Sequence, residues 1–352
     1  MAFNAGSFCE LSGRYPKSAG EAVYVEAGFG RPFLTLLTGS VIVAAALVSA
    51  AAIAVGGTGY IMTFLPMSQP AILVVVVLAL GVVAGWGVIE SVTFAAIFTL
   101  IEVLGLLAII AAGLWADPGL VLRMGEVFPP MSDLSALSSV FMASLLAFFA
   151  FIGFDDVVNL AEETKNPIRT LPLGIVLTLL IATLLYFGVS AIAVLSVPID
   201  ELAASTAPIS LIFGELTNTR PILITGIAIV ATLNGVIILI VMASRVVYGL
   251  GRDGRLPAVL AKVHPVTRTP LLATALITLA VLGLAIWFPL GVLAERATQA
   301  ILFVFSLVNA ALIEIKRRGD LPPPGVVVVP MVFPVLGLLG CLMMLLGPVI
   351  LL

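Results

Sequence analysis

The sequence predicts an all-α, polytopic membrane protein, and three observations lead to this fold class. First, the 352 residues are 61% apolar and only 10% charged, whereas a soluble domain is roughly 45–50% apolar and 25% charged. Second, the mean hydropathy is +1.26, and the apolar residues form stretches long enough to cross a bilayer. Third, the basic residues are concentrated in alternate loops. No soluble fold of this size carries so little charge.

Nine apolar stretches, most of them near 20 residues or longer, are candidates to cross about 30 Å of hydrocarbon. Buried strands have a similar composition, but unpaired strand edges cannot face lipid, so only helices are consistent with these stretches. The nine stretches cover residues 33–64, 71–89, 92–115, 137–160, 171–197, 221–244, 270–289, 297–315 and 326–352.

The distribution of lysine and arginine predicts the orientation, because cytoplasmic loops of membrane proteins are enriched in these residues. With nine crossings, thirteen of the sixteen basic residues fall on the side of the amino terminus. We therefore expect a cytoplasmic amino terminus and a location in the cell membrane. The first residues lack the basic start and cleavage pattern of a signal peptide. The thirteen are Arg14, Lys17, Arg31, Lys165, Arg169, Arg245, Arg252, Arg255, Lys262, Arg268, Lys316, Arg317 and Arg318.

Glu102 is an acidic residue near the middle of a predicted span, in the sequence FTLIEVLGLL. A carboxylate at the bilayer centre costs at least about 2.5–3.5 kcal/mol, so Glu102 is either protonated or faces a polar interior. One interpretation is a coupling role, in which Glu102 takes up and releases a proton. The alternative is a structural hydrogen bond to a neighbouring helix.

The segment FFAFIGFDDVVNLAEETKNP, residues 148–167, changes from apolar to polar within a predicted span. Gly153 allows the backbone to depart from the helix, and a polar ligand can then bind the released carbonyl and amide groups. The alternative is that Asp155 and Asp156 lie at the water boundary. Judged by residue type alone, Phe149 and Phe154 are packing residues.

Other polar residues give weaker signals. Thr232 and Asn234 either line a pathway or bond to a neighbouring helix. The sequence GLGRDG matches the dinucleotide pattern GxGxxG, but a predicted transmembrane helix precedes it instead of a strand, so no cofactor is expected. The sole histidine, His264, and the two cysteines, Cys9 and Cys341, form no metal site in the sequence. The basic loops are those that topology requires, so no nucleic-acid binding is expected.

Three segments resemble the amino acid-polyamine-organocation superfamily, the amino acid permeases with the leucine-transporter fold. CELSGRYPKSAGEAVYVEAGFG is similar to the cytoplasmic stretch after the family's second helix. FFAFIGFDDVVNLAEETKNPIRTLP is similar to its sixth helix and the following loop, and GLGRDGRLPAVLAKVHPVTRTP to the loop after its eighth. The resemblance runs from about residue 5 to residue 318, and the middle segment is the most specific.

The resemblance implies a role for each candidate site residue. The span at 137–160 corresponds to the family's broken sixth helix, with Ile152 and Gly153 at the break, where backbone carbonyls bind the substrate's ammonium group. Phe149 corresponds to an aromatic side chain that covers the substrate, and Asp155 to the carboxylate after the break. Glu102 corresponds to a position in the fifth helix that is a lysine in some members, and a glutamate there favours a titrating proton site.

The resemblance also implies a truncated form of the fold, in which the first of two inverted five-helix repeats is incomplete. The family's first helix, most of the second and the twelfth have no counterpart in the sequence. The first helix carries half of the family's binding site. The expected parts are the end of a truncated helix plus a cytoplasmic segment (1–30), three helices of the first repeat (31–115), an extracellular loop (116–136), the second repeat (137–318) and a carboxy-terminal helix (319–352).

The predicted function is a secondary transporter that moves an amino acid or related amine by alternating access, coupled to protons or working by exchange. Its partners would be this small solute and the lipid bilayer. The alternative is a truncated, transport-inactive homologue or membrane subunit. A membrane-embedded enzyme is disfavoured, because the sequence has no HExxH, no GxGD within a span and no serine–histidine pair inside the membrane.

Overall fold

The computed structural model describes residues 1–17, 20–87, 92–128, 134–252, 254 and 256–350, and every regular element among them is helical. The α-helices are α1 (Ala2–Arg14), α2 (Gly20–Phe29), α3 (Pro32–Met62), α4 (Gln69–Trp86), α5 (Val92–Ala116), α6 (Leu120–Arg123), α7 (Leu134–Phe149), α8 (Pro167–Ser196), α9 (Ile199–Ala204), α10 (Pro208–Thr217), α11 (Ile222–Arg252), α12 (Leu271–Trp287), α13 (Leu290–Arg317) and α14 (Val332–Ile350). Three 3₁₀ segments cover Met124–Val127, Asp155–Glu163 and Ala258–Ala261.

Six helices in the described part of the chain are long and apolar enough to cross a membrane: α3, α4, the Ala96–Ala116 part of α5, α8, α11 and α13. Shorter apolar helices lie at Ser138–Phe149, Pro208–Thr217, Leu271–Trp287 and Val332–Gly347. Large apolar side chains such as Leu104, Leu184 and Leu223 point outward from these helices and are 54%, 63% and 80% exposed. These helices and exposed apolar residues confirm the predicted fold class of an all-α, polytopic membrane protein.

Each of the nine predicted apolar stretches contains a helix of the described structure. The largest difference is at 137–160, where the helix ends at Phe149 and a 3₁₀ segment begins at Asp155. At the carboxyl end of the chain, the helix begins at Val332. Four prolines between residues 321 and 331 explain this late start, since proline supplies no amide hydrogen and restricts the residue before it.

The chain divides into two compact units, each of which is described by itself. Unit 1 comprises Met1–Ala45, Ser138–Thr183 and Glu295–Leu352. Unit 2 comprises Ala46–Leu137 and Leu184–Ala294.

The core of unit 1 contains a cluster of aromatic rings around α1, which packs along α14. The ring of Phe8 meets those of Tyr24, Phe154 and Phe305 edge to face at centroid distances of 6.1, 5.7 and 5.0 Å. Such pairs contribute about 0.5–1.5 kcal/mol each beyond the burial of apolar area. They fix the start of the 3₁₀ segment, because Phe154 immediately precedes it.

In unit 2, α4, α5, α11 and α12 pack against one another and approach closely at glycine residues. A Cβ atom on Gly81 would collide with Thr278, and one on Gly105 would lie 2.9 Å from Ile227. Between apolar helices the close approach of backbones supplies the van der Waals contact that holds a bundle together. Glycine at these positions therefore allows α4 to reach α12 and α5 to reach α11.

Candidate functional site

A break in the helical backbone lies between α7 and the Asp155–Glu163 3₁₀ segment of unit 1. After Phe149 the backbone bonds shorten to the i→i−3 pattern: the Phe151 amide donates to the Phe148 carbonyl at 3.0 Å, and the Ile152 amide to the Phe149 carbonyl at 3.1 Å. Gly153 follows with φ +115°, a conformation that is accessible to glycine and strongly disfavoured for residues with a Cβ. Glycine at 153 therefore permits the break.

Asp155 closes this break from the other side. Its Oδ1 atom accepts a hydrogen bond of 3.0 Å from the Gly153 amide, and the side chain is only 4% exposed. Among the described residues, no backbone amide donates to the carbonyl oxygen of Ile152. The break thus holds a carbonyl oxygen without a backbone donor beside a buried carboxylate, and both groups are acceptors for an ammonium ion.

The two phenylalanines of this segment differ in their surroundings. Phe154 is 3% exposed and packs against Phe8 and Phe305, which makes it part of the core. Phe149, the last residue of α7, is only partly buried. The structure therefore places Phe154 in the core and leaves the side chain of Phe149 partly accessible.

Glu102 lies in unit 2, on α5, with partners from two other helices. The Asn234 side-chain amide on α11 donates a hydrogen bond of 3.4 Å to its Oε1 atom. Tyr186 on α8 lies within electrostatic reach of the same carboxylate. The sequence prediction did not include Tyr186, because only the packing of α8 brings it near a residue 84 positions earlier.

Thr232 lies two residues before Asn234 and therefore on a different face of α11. Its hydroxyl donates to the carbonyls of Ala228 and Ile229, at 3.0 and 2.9 Å, which satisfies it within its own helix. The side chain packs against Gly57 of α3, where an added Cβ would lie 2.7 Å from Thr232 Oγ1. Thr232 and Asn234 thus face different neighbours, α3 and α5.

The sequence prediction also missed a buried ion network in unit 1. The carboxylate of Glu10, which is 0% exposed, contacts Arg14 at 2.8 Å and Lys316 at 2.6 Å. It also accepts a bond of 2.9 Å from the Val329 amide. The spacing of Glu10 and Arg14, one helical turn apart, is the signal in the sequence. Lys316 is 306 residues away from Glu10, and only the fold brings it there.

A cavity of about 370 Å³ opens in unit 2 between α4, α11 and α12. Its lining includes Ser244, Arg245, Tyr248 and Arg268, and it contains none of the predicted site residues. The candidate residues therefore form two groups: Phe149, Ile152, Gly153 and Asp155 in unit 1, and Glu102, Thr232 and Asn234 in unit 2.

The chain is similar to known transport proteins over most of its length. The family description that matches the chain, over residues 1–352, is that of amino acid permeases. The branched-chain amino acid permease BcaP of Bacillus subtilis is 31% identical, over 98% of this chain and 77% of the relative. The vacuolar cationic amino acid transporter 4 of Arabidopsis thaliana is 32% identical, over 92% of this chain and 56% of the relative. The methylthioribose transporter of Bacillus subtilis is 28% identical, over 69% of this chain and 51% of the relative. The chain thus spans between half and about three quarters of these relatives.

Proposed function

The chain belongs to the amino acid permease family, and on this premise we propose that it is a secondary transporter that moves an amino acid or related amine across a membrane by alternating access. In such transporters, broken helices expose backbone groups to the solute, and one helical bundle moves against another. The matched family covers all of residues 1–352, and the relatives named above are permeases and transporters.

The observation that carries this proposal is the break at Gly153. The substrate's ammonium group would contact the Ile152 carbonyl, and the Asp155 carboxylate would balance its charge. Phe149 would cover the solute with its ring, an arrangement in which a cation gains about 0.5–2 kcal/mol. The support is the Gly153 φ of +115°, the bond from the Gly153 amide to Asp155 and the partial exposure of Phe149.

Glu102 is the proposed coupling residue. Its hydrogen-bonding partner, Asn234, is neutral, so an ionised Glu102 would carry an uncompensated charge on an otherwise apolar helix. A charge in that position costs at least about 2.5–3.5 kcal/mol near the bilayer centre. Protonation removes this cost, so proton uptake at Glu102 would favour conformations in which water does not reach it.

The proposed location is the cell membrane, with the amino terminus in the cytoplasm and the second five-helix repeat over 137–318. The support is the distribution of basic residues, thirteen of which fall on one side of the predicted topology. Single cysteines introduced into the 198–207 and 318–325 connections between membrane-spanning helices, and labelled in intact cells, would test this location and orientation. Opposite accessibility of the two loops is expected, and equal accessibility would contradict the topology.

Uptake by the purified full-length chain in proteoliposomes tests the function. The panel would contain labelled branched-chain, cationic and small neutral amino acids, with methylthioribose as a solute that lacks the α-amino acid group. Accumulation of at least one amino acid above that in protein-free vesicles is expected. If no solute accumulates although the protein is folded and inserted, the alternative of a transport-inactive homologue replaces the proposal.

A further inference from the structure

Three carboxyl groups of unit 1 lie on two elements that pack against each other, α2 and the Asp155–Glu163 3₁₀ segment. Glu21, in the first turn of α2, is 3% exposed, Asp155 is 4% exposed, and Asp156 is partly buried. The two elements are in direct contact, because a Cβ on Gly20 would collide with Val158. We call Glu21, Asp155 and Asp156 the junction carboxylates.

The junction carboxylates have no ionic partner in the described part of the chain. The buried basic groups of the neighbouring elements, Arg14 on α1 and Lys316 on α13, are bound to Glu10. The exposed charged groups on the packed elements include Glu26 on α2, Glu162 on the 3₁₀ segment, Lys165 just before α8 and Arg169 in its first turn. Full ionisation would leave up to three negative charges together in a low-dielectric interior.

A second observation comes from Tyr24, one turn after Glu21. Its side chain is 0% exposed, and its hydroxyl is the buried side-chain polar atom that finds no hydrogen-bond partner among the described residues. A Cβ atom added to Gly20 would lie 3.0 Å from the Tyr24 hydroxyl oxygen and would also collide with Val158. The hydroxyl therefore lies on the side of α2 that meets the 3₁₀ segment. A buried hydroxyl without a partner costs about 1–3 kcal/mol, so it favours a polar species beside it.

A proton fits this site better than a metal ion. Among the described residues, no three His, Cys, Asp or Glu side chains are grouped as metal ligands would be. Carboxyl groups buried close together cannot all ionise, and they share protons instead. Burial raises the pKa of Glu21 well above its ordinary value of 4.5, and the charges of Asp155 and Asp156 raise it further.

We infer that the junction carboxylates are a protonation site, distinct from Glu102, which holds at least one proton at neutral pH and communicates with the helix break. Asp155 links the junction carboxylates to the break, since its Oδ1 atom accepts a hydrogen bond from the Gly153 amide at the break. Loss of the proton would bring Glu21 and Asp155 into direct repulsion and weaken the contact between α2 and the 3₁₀ segment. A role for this step in coupling rests on the proposed transport function, whereas proton binding itself does not.

Thermal unfolding of the purified full-length chain in detergent at different pH values tests proton binding without transport. A carboxyl group with a raised pKa in the folded state stabilises the fold at low pH, and this contribution is lost as pH rises through the raised value. The melting temperature of the wild type should therefore fall as pH rises above 4.5 toward neutrality and beyond. Glu21→Gln should lose most of this fall, and the matched control Glu26→Gln, an exposed glutamate on the same helix, should retain it.

Infrared spectroscopy gives a second measurement that does not depend on the stability of Glu21→Gln. In a Glu102→Gln background, a protonated-carboxyl C=O band should be present at neutral pH and should disappear on raising the pH. Absence of this band, or an unchanged pH dependence of melting in a folded Glu21→Gln variant, overturns the inference. If the wild type transports no solute but shows both signals, the proposed function fails while the protonation site stands.

Discussion

The Asn234 side-chain amide donates a hydrogen bond of 3.4 Å to the Glu102 carboxylate, joining α11 to α5 across 132 residues of sequence. Hydrogen bonds of this kind between apolar helices contribute only about 0.6–2 kcal/mol. Asn234 therefore orients the carboxylate without neutralising its charge. This arrangement contains the hydrogen bond of one sequence interpretation of Glu102, and the titrating role of the other stays a prediction that is compatible with it.

Glu102→Gln is expected to abolish proton-driven uptake while the protein still inserts and folds. Glutamine has nearly the same shape and still offers an oxygen to Asn234, so the melting temperature should change little, whereas the side chain can no longer take up a proton. The measurement is uptake into proteoliposomes with an imposed pH gradient. Glu215→Gln, an exposed glutamate on α10, is the control and should transport like the wild type. Wild-type uptake by Glu102→Gln would remove Glu102 from the mechanism.

Gly153→Ala tests the break. The substituted Cβ would have room, since its nearest neighbour is Asp156 Oδ2 at 3.7 Å, so the expected cost comes from the φ of +115°. Strain of this kind costs on the order of 1–3 kcal/mol. We expect a lower melting temperature, and loss of substrate binding as the backbone relaxes toward a regular helix.

The control for this variant is Gly340→Ala on α14, in the same unit. Gly340 has helical backbone and open space around its Cβ position, so alanine there should be neutral or stabilise by up to about 1 kcal/mol. Thermal unfolding and ligand-induced thermal shifts compare the two variants. Equal behaviour of Gly153→Ala and Gly340→Ala would show that the break does not depend on glycine.

Glu10→Gln is expected to destabilise unit 1 strongly. The substitution would leave the cations of Arg14 and Lys316 buried without their carboxylate, and breaking a buried ion pair in this way costs about 3–5 kcal/mol. The comparison is Asp320→Asn, which breaks the ion pair with Arg318 between side chains that are 43% and 40% exposed. That exposed pair contributes about 0–1 kcal/mol. Unfolding in denaturant should separate the two variants clearly, and similar midpoints would contradict the structural role of Glu10.

The helices could be predicted from the sequence, but most partners of the site residues could not. The helical structure of the nine apolar stretches follows directly from the cost of unpaired polar groups in lipid. Gly153, with two aspartates at 155 and 156, indicates that a helix ends nearby. By contrast, Lys316 reaches Glu10, and α2 with Glu21 reaches the 3₁₀ segment with Asp155, only through packing between distant segments. Glu21 in particular resembles an ordinary first-turn glutamate in the sequence, because nothing local indicates that it is buried.

The contact between Gly57 and Thr232 leads to the last prediction, which separates packing from pathway lining. Gly57→Ala would place a Cβ 2.7 Å from Thr232 Oγ1 and 3.0 Å from its Cβ, and overpacking of this kind costs about 1–3 kcal/mol. Thr232→Ala removes the nearer atom, so the double variant should recover part of the lost stability, with a coupling energy of about 0.5–2 kcal/mol.

Thr232→Ala by itself should leave uptake close to that of the wild type, because its hydroxyl already donates to carbonyls of its own helix. Asn234→Ala, two residues away, should reduce uptake by removing the donor to Glu102. Two measurements distinguish packing from pathway lining. The first is unfolding of Gly57→Ala, Thr232→Ala and the double variant, and the second is uptake by the Thr232→Ala and Asn234→Ala proteins. Additive stability effects combined with a loss of uptake in Thr232→Ala would assign Thr232 to the pathway and not to the packing of α11 on α3.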